Sequence, residues 1–313
     1  MEAFHEPVMA KECLEFLAPR HGGIYVDATV GGGGHSLALL KSASDIRLLC
    51  FDQDPEALER AKTRLSGHLD RVELIKANFK DIRSHLSLMK IKLVSGVLFD
   101  LGVSSHQLDT AHRGFSFDKP AKLDMRMDPD TRIDAAWVVN QLPERDLARI
   151  IKEYGEELQA TKIARAILKA RAAKAISQTD ELARIVESVA GIGTRESLKA
   201  KVRVFQAIRI YVNRELEILP TAIEDAINIL EPGGRIVVLS YHSLEDRIVK
   251  NTFRNAARGC VCPPGAMYCA CGYQPKLKIQ TSRPITADGT ETSINTRARS
   301  AKLRAGTKLL GEK

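Results

Sequence analysis

Between Val26 and Ser36 the chain reads Val-Asp-Ala-Thr-Val-Gly-Gly-Gly-Gly-His-Ser, a run of glycines between a carboxylate and an imidazole. Glycines let a ligand approach the backbone closely, and the start of a following helix offers unused N–H groups. Loops of this kind serve nucleoside triphosphates, dinucleotides and S-adenosylmethionine, so the neighbours must discriminate. No Gly-Lys-Ser/Thr follows, which excludes a Walker A loop. Gly31 and Gly33 fit the first positions of G-x-G-x-x-G, but Ser36 stands where the last glycine belongs. Asp27, directly before the loop, would repel a pyrophosphate. It suits a ligand with an ammonium group and no phosphate, which S-adenosylmethionine is.

Other groups fall at matching places. Asp52, in Phe51-Asp52-Gln53-Asp54-Pro55, ends an apolar run where an acidic side chain can accept both ribose hydroxyls; a plain turn former is the competing reading. Asn78-Phe79 follows the next run, and Phe79 can pack on an adenine or simply fill a core. Asp100 ends Val94–Leu101, where parallel sheets display their ligand groups. His242, Glu245 and Asp246 cluster after a later apolar run. Cys260, Cys262, Cys269 and Cys271 could together close a tetrahedral metal site. Their single intervening residues are tighter than the usual zinc spacing, so the cluster reads as a thiol-rich loop and no metal site is assigned.

The elements that must position these groups alternate. Gly23–Val30, Ile46–Phe51, Val72–Lys76 and Val94–Leu101 read as strands. His35–Lys41 and Pro55–Leu65 read as helices between them, which predicts βαβ units and a parallel sheet. The alternation stops from His106 to Arg203. There Leu147, Ile150, Ile151 and Tyr154 give a helical stripe, as do Ile163, Ile167 and Leu168, and Leu182, Ile185, Val186 and Val189. Val204–Leu219 reads as a long helix, with Pro220 beginning another. Then Arg235–Ser240 resumes the sheet after a Pro-Gly-Gly turn, and Leu277–Thr281 reads as a late strand. The expected architecture is an α/β class I S-adenosylmethionine-dependent methyltransferase sheet, Rossmann-like, with an inserted helical domain. The sheet domain comprises 1–105 and 204–313, and the insert 106–203.

With 313 residues, 44% hydrophobic and 27% charged, the chain is long enough for a large core and ordinary for a globular protein. No apolar run approaches a membrane span, and the first residues lack the basic and apolar regions of a signal peptide. A cytoplasmic location is expected, and thiols rather than disulfides. The formal charge is +8, concentrated in 162–203. That face is read either as solvated or as a phosphate-binding surface for RNA. The basic stretch Arg297–Lys308 is the alternative RNA contact, or a soluble tail.

Taken together, His5–Met9, Val-Asp-Ala-Thr-Val-Gly-Gly-Gly-Gly-His-Ser, the Asp52 turn, Phe99–Asp109, Arg113–Phe117, Leu123–Asp128, Val202–Asn213 and Ser240–Lys250 resemble the bacterial ribosomal RNA small subunit methyltransferase H family. The resemblance runs from His5 to about Arg304. It implies S-adenosylmethionine-dependent methylation of the exocyclic N4 of a cytidine in 16S rRNA near the decoding centre. It also implies cofactor contacts at Gly33, Gly34, His35, Asp52, Phe79, Asp100 and Gln107. The implied substrate is 16S rRNA or the small ribosomal subunit, with no DNA and no membrane. His106 stands where many members have proline, and Tyr241 where phenylalanine is common.

Competing functions are weaker. Cytosine C5 methylation needs a cysteine that adds to the ring, commonly in a Pro-Cys pair; here Cys262-Pro263 has the opposite order and Cys50 lies within a strand. Asp27 and the missing third glycine weaken a nicotinamide-dependent oxidoreductase. A purely RNA-binding protein would not need the glycine loop and Asp52 together. No proton acceptor is assigned; His242, Glu245 and Asp246 are candidates to face the base, and Asp100 is held first as a cofactor contact.

Overall fold

A computed structural model of the chain describes residues 6–260, 262, 268 and 270–310. The chain forms two compact units, Met1–Gly102 with Leu216–Lys313, and Val103–Glu215.

The first unit holds a seven-stranded sheet. Its strands are β1 (Ile24–Asp27), β2 (Arg47–Asp52), β3 (Val72–Lys76), β4 (Val94–Asp100), β5 (Leu230–Ser240), β6 (Leu277–Ile279) and β7 (Lys302–Lys308). Their order is β3-β2-β1-β4-β5-β7-β6. β1 to β5 run parallel, and β7 lies antiparallel between β5 and β6. β4 is buried until Asp100, as expected of a central parallel strand covered on both faces. Alternate residues face opposite sides. Val26, Phe51, Val97, Phe99, Ile236 and Val238 enter one core, while Leu48, Cys50, Leu98, Val237 and Leu239 enter the other. Each such side chain contributes roughly 1.5–3 kcal/mol by burial.

Helices Gly34–Ser42, Pro55–Arg64 and Ile82–Leu88 follow the first three strands. Pro55–Arg64 starts where Asp54 accepts the Glu56 N–H, with Pro55 in the first turn, a position where proline's missing donor costs nothing. An N-terminal helix, Ala10–Leu17, buries Cys13 and Leu17.

Three expectations are corrected. The stretch Arg297–Lys308 is no tail, since Lys302–Lys308 is an interior strand of the sheet. Its Arg304 is buried, with Nε 2.6 Å from Asp246. Alternating Leu303 and Ala305 provide the apolar face, but the intervening Lys, Arg, Gly and Thr mask the strand signal. Second, the helix expected over Val204–Leu219 is Arg195–Asn213, ended by Arg214 in the left-handed region (φ 53°). The next helix is Glu215–Ile229, and Pro220 lies inside it, where it removes one backbone hydrogen bond without ending the helix. Third, because Arg195–Asn213 runs unbroken through residue 204, the return to the sheet unit falls at Leu216.

The second unit packs helices Ala135–Gln141, Glu144–Gly155, Ala160–Ala173, Thr179–Ala190 and Arg195–Asn213 around Leu147, Ile150, Ile151, Ile163, Ile167, Leu182, Val186, Val204 and Ile208. The segments Arg113–Phe117 and Leu123–Asp128 serve as its backbone frame. Buried Arg113 donates to the Arg126 and Met127 carbonyls at 2.9 and 3.1 Å. Asn213 donates to the Met125 carbonyl and accepts from the Met127 N–H, both at 2.8 Å.

Candidate active site at the carboxyl ends of the parallel strands

β1 and β4 are neighbours, and the sheet grows outward from them in opposite directions. This is the switch point where α/β sheets open a crevice beyond their carboxyl ends. The glycine loop leaves β1 there. It is pinned by Val30 N–H to the Phe51 carbonyl (2.9 Å) and Gly33 N–H to the Val30 carbonyl (2.8 Å). Gly33 has φ 75°, and a Cβ there would also press within 3.3 Å of the Ala61 backbone. At Gly32 an added Cβ would meet nothing within 4 Å, so this face is open to a ligand. Helix Gly34–Ser42 begins with no side-chain cap, which leaves its first N–H groups for an anionic group.

Carboxylates surround the loop. Asp27 is 1% exposed, accepts from the Ser36 hydroxyl at 2.6 Å and from Thr29 N–H at 3.2 Å, and burial raises its pKa. Asp27 therefore stiffens the loop from behind through these two hydrogen bonds. Asp52 takes the Gly31 and Asp54 N–H groups, each at 2.9 Å, one on each oxygen. Burial pushes it up to about 7 against those hydrogen bonds. Asn78 holds the adjoining turn by donating to Gln53 Oε1 at 2.7 Å. Phe79 stands edge-on to Phe99, centroids 5.7 Å apart, and is partly exposed.

Asp100 receives its own backbone anchor from Thr29, whose Oγ1 accepts the Asp100 N–H at 2.6 Å. Its Oδ1 accepts from the Tyr241 hydroxyl at 2.6 Å. Burial pushes Asp100 up to about 6; the tyrosine hydrogen bond opposes this and the Glu245 charge adds to it. His35 Nε2 lies 3.5 Å from Asp100 Oδ2, yet this buried nitrogen has no aligned hydrogen-bond partner. Burial lowers its pKa to about 4, so the ring is neutral. Glu245 and His242 are occupied in capping helix Ser243–Ala257: Glu245 accepts from the Tyr241 and His242 N–H groups at 2.8 and 3.3 Å.

The structure thus gathers Gly33, Gly34, His35, Asp52, Phe79 and Asp100 in the first unit. Gln107 belongs to the second. It is buried, and its Oε1 accepts the Ser104 N–H at 2.9 Å in a capping box for helix Ser105–Asp109. The Tyr241–Asp100 contact escaped the sequence reading. Its signal was the β4/β5 register, which pairs Asp100 with Leu239 and so sets Tyr241 beyond the same strand ends.

A cation with ribose hydroxyls fits this donor set. Asp27, Asp52 and Asp100 have no Lys or Arg partner among the described residues, the loop face is open, and His35 Nε2 awaits a partner. Cysteine-based C5 chemistry has no support at Cys50, which is fully buried with its thiol pKa well raised; Pro263 lies outside the described residues.

The basic insert looks different. Arg165, Lys174, Arg184, Lys199, Lys201 and Arg203 each face a carboxylate. Arg171 donates to the Val139 and Leu142 carbonyls, both at 2.8 Å. Lys162 and Lys169 are exposed on helix Ala160–Ala173.

A Rossmann-like sheet whose switch point carries a glycine loop ringed by carboxylates defines a class I S-adenosylmethionine-dependent methyltransferase. More narrowly, the chain belongs to the MraW methylase family, which it matches over residues 2–309. It is 50% identical over 310 residues to the ribosomal RNA small subunit methyltransferase H of Carboxydothermus hydrogenoformans, covering 99% of each. To that of Geobacter sulfurreducens it is 50% identical over 307 residues, covering 97% of this chain and 99% of the other. Among solved structures it is similar to an rRNA methylase from Streptococcus thermophilus, with 14% identity, a TM-score of 0.42, and coverage of 98% and 100%.

Proposed function

We propose that the chain methylates the exocyclic N4 of a cytidine in 16S rRNA, near the decoding centre, in the cytoplasm, acting on the rRNA or on the small subunit. The observation that carries the chemistry is Asp100: a partly buried carboxyl at the end of β4, held by the Tyr241 hydroxyl, without a cationic partner, and pushed up to about 6. The cofactor supplies an activated methyl on a sulfonium. The protein's part is position, because the displacement needs the nucleophile in line. The cytosine amino lone pair is delocalised into the ring. An acceptor at its N–H orients that nitrogen and takes the proton that must leave as the new C–N bond forms. Asp100 is ionised at neutral pH and basic enough for both tasks. Asp52 would hold the ribose hydroxyls, Phe79 the adenine face, and the first N–H groups of helix Gly34–Ser42 the amino-acid carboxylate. The Asp52 and Asp100 carboxylates would compensate the sulfonium charge.

Gln107 is proposed to complete the cofactor contacts, and the insert to hold RNA phosphates through Lys162 and Lys169. No helix among the described residues is long and apolar enough to cross a membrane, and no DNA is expected as substrate. Mass spectrometry of nucleosides from rRNA methylated by the purified chain tests the reading. N4-methylcytidine is expected; 5-methylcytidine, or no product with 16S rRNA or small subunits, overturns it.

A further inference from the structure

Away from the methyl-transfer site, the segment between helix Ser243–Ala257 and β6 brings cysteines together. The Sγ atoms of Cys260, Cys262 and Cys271 all lie within 4.8 Å of one another, and none of these residues is in a disulfide. Cys260 and Cys271 Sγ are 3.6 Å apart. That is far beyond an S–S bond of about 2.05 Å. It matches the edge of a tetrahedral zinc thiolate site, about 3.8 Å for Zn–S bonds of about 2.3 Å.

The backbone around the sulfurs has the form such a site requires. Cys262 N–H points to Cys260 Sγ at 3.3 Å, and Tyr273 N–H to Cys271 Sγ at 3.5 Å. Each donor comes two residues after its cysteine, and the second follows Gly272 at φ 58°. N–H groups aimed at sulfur stabilise thiolate over thiol and orient it, the outer-shell support that metal-bound cysteines use. The tight Cys-x-Cys spacing, which argued against a metal in the sequence, matters less once ligands come from two separate turns. The sequence repeats that spacing at Cys269 and Cys271; Cys269 lies outside the described residues, and the three described sulfurs suffice for the argument.

We propose that Cys260, Cys262 and Cys271 bind a zinc ion that staples this segment to the sheet unit. Each coordinating thiol gives up its proton to solvent and no electrons are transferred. The staple has anchors on both sides. Tyr273 donates its hydroxyl to the Asn255 carbonyl at 2.8 Å, and Lys276 N–H reaches the Ala256 carbonyl at 2.7 Å. β6, the short edge strand, begins directly afterwards. The ion would therefore fix the outer edge of the sheet and stand apart from methyl transfer.

The test is elemental mass spectrometry on the full chain, purified under reducing conditions without chelator. Zinc stoichiometric with protein is expected. It should be released in step with mercurial titration of the thiols, and Cys260→Ser with Cys271→Ser should abolish it. A second measurement does not depend on folding of that variant. On metal-stripped wild-type chain, added zinc chloride should slow thiol modification of these cysteines by at least about tenfold and raise the thermal midpoint. Wild-type chain without zinc, whose thiols react equally with and without added zinc, overturns the proposal. So does a Cys260–Cys271 disulfide in the protein as isolated from cells.

Discussion

The sheet unit and the helical unit both carry many charged groups but manage them in opposite ways. Around the glycine loop, Asp27 is buried and Asp52 and Asp100 are partly buried; all three are held by hydroxyl or N–H donors and matched by no Lys or Arg among the described residues. Burial raises the pKa of all three. In the helical unit, Lys174 and Glu181 meet at 2.7 Å and Arg184 and Asp180 at 2.8 Å on the surface. Hydrogen bonds from Lys174 and from the Ser177 and Gln178 N–H groups hold Glu181 down at about 2. Neutralised surface pairs contribute little to stability and ask for no partner. Enclosed, unmatched carboxylates destabilise the ligand-free fold and favour a cationic ligand, which is why perturbed groups cluster at functional sites. Net charge by itself pointed to the insert, whereas charge compensation points to the strand ends.

That contrast can be broken most forcefully at Asp100. Asp100→Asn keeps the shape and removes the proton acceptor, and kcat should fall by about 10²-fold or more, with cofactor affinity changed far less. Equal losses in kcat and cofactor affinity would make Asp100 a binding group only. Next comes Asp52→Ala, expected to weaken S-adenosylmethionine binding by about 1–3 kcal/mol in calorimetry; unchanged affinity would remove Asp52 from the site.

The pH behaviour sharpens the comparison further. Both carboxyls are pushed up from 3.8, Asp100 to about 6 and Asp52 to about 7. The folded ligand-free chain therefore retains protons that the unfolded chain releases. The stability these two carboxyls contribute is full below about pH 4 and is lost as pH rises through about 7. Asp52→Asn should flatten that fall in thermal-midpoint measurements. The methylation rate should rise with pH through about 6, as Asp100 becomes an acceptor. The Tyr241 hydroxyl favours the ionised form of Asp100, so Tyr241→Phe should move the rising limb to higher pH and slow the reaction near pH 6 by up to about tenfold. At high pH the rates should converge.

The smallest effects are expected in the insert. Lys162→Glu with Lys169→Glu should weaken rRNA binding and lower the salt slope by about 1–2, with S-adenosylmethionine affinity unchanged. Lys174→Ala should cost less than about 1 kcal/mol of stability. A large loss of rRNA affinity from Lys174→Ala, and none from the pair, would reverse the assignment of which charges are available.

Where continuous apolar strands end in a turn, the site was legible: the loop after Val26, the turn after Phe51, and Asp100 after Val94–Phe99. Period and punctuation carry that information locally. What lay hidden depended on register and partners. Tyr241 meets Asp100 because β5 pairs with β4, and Lys302–Lys308 sits inside the sheet with Asp246 compensating its buried Arg304. Similarly, Asp27 looks like a ligand group until Ser36, one helix turn into the following element, claims its carboxylate. The charge of residues 162–203 was countable, but which charges were already paired was not.

The chain leaves the sheet after β4 and returns only with β5, so the sheet is interrupted in the order in which it is made. During synthesis at about 5–20 residues per second, β4 waits on the order of ten seconds for β5, with its apolar side chains and backbone groups unpaired on that edge. An open hydrophobic strand edge is a template for pairing with other chains. The helices of the second unit are built from local contacts and can form during that interval. The sheet cannot close until β7 has been made, because β7 follows β5 and β6 in the chain and inserts between them. Ribosome stalling within the first unit's return segment would therefore leave a folded helical unit attached to an incomplete sheet, with Asp100 lacking the Tyr241 that reaches it only once β5 is in place.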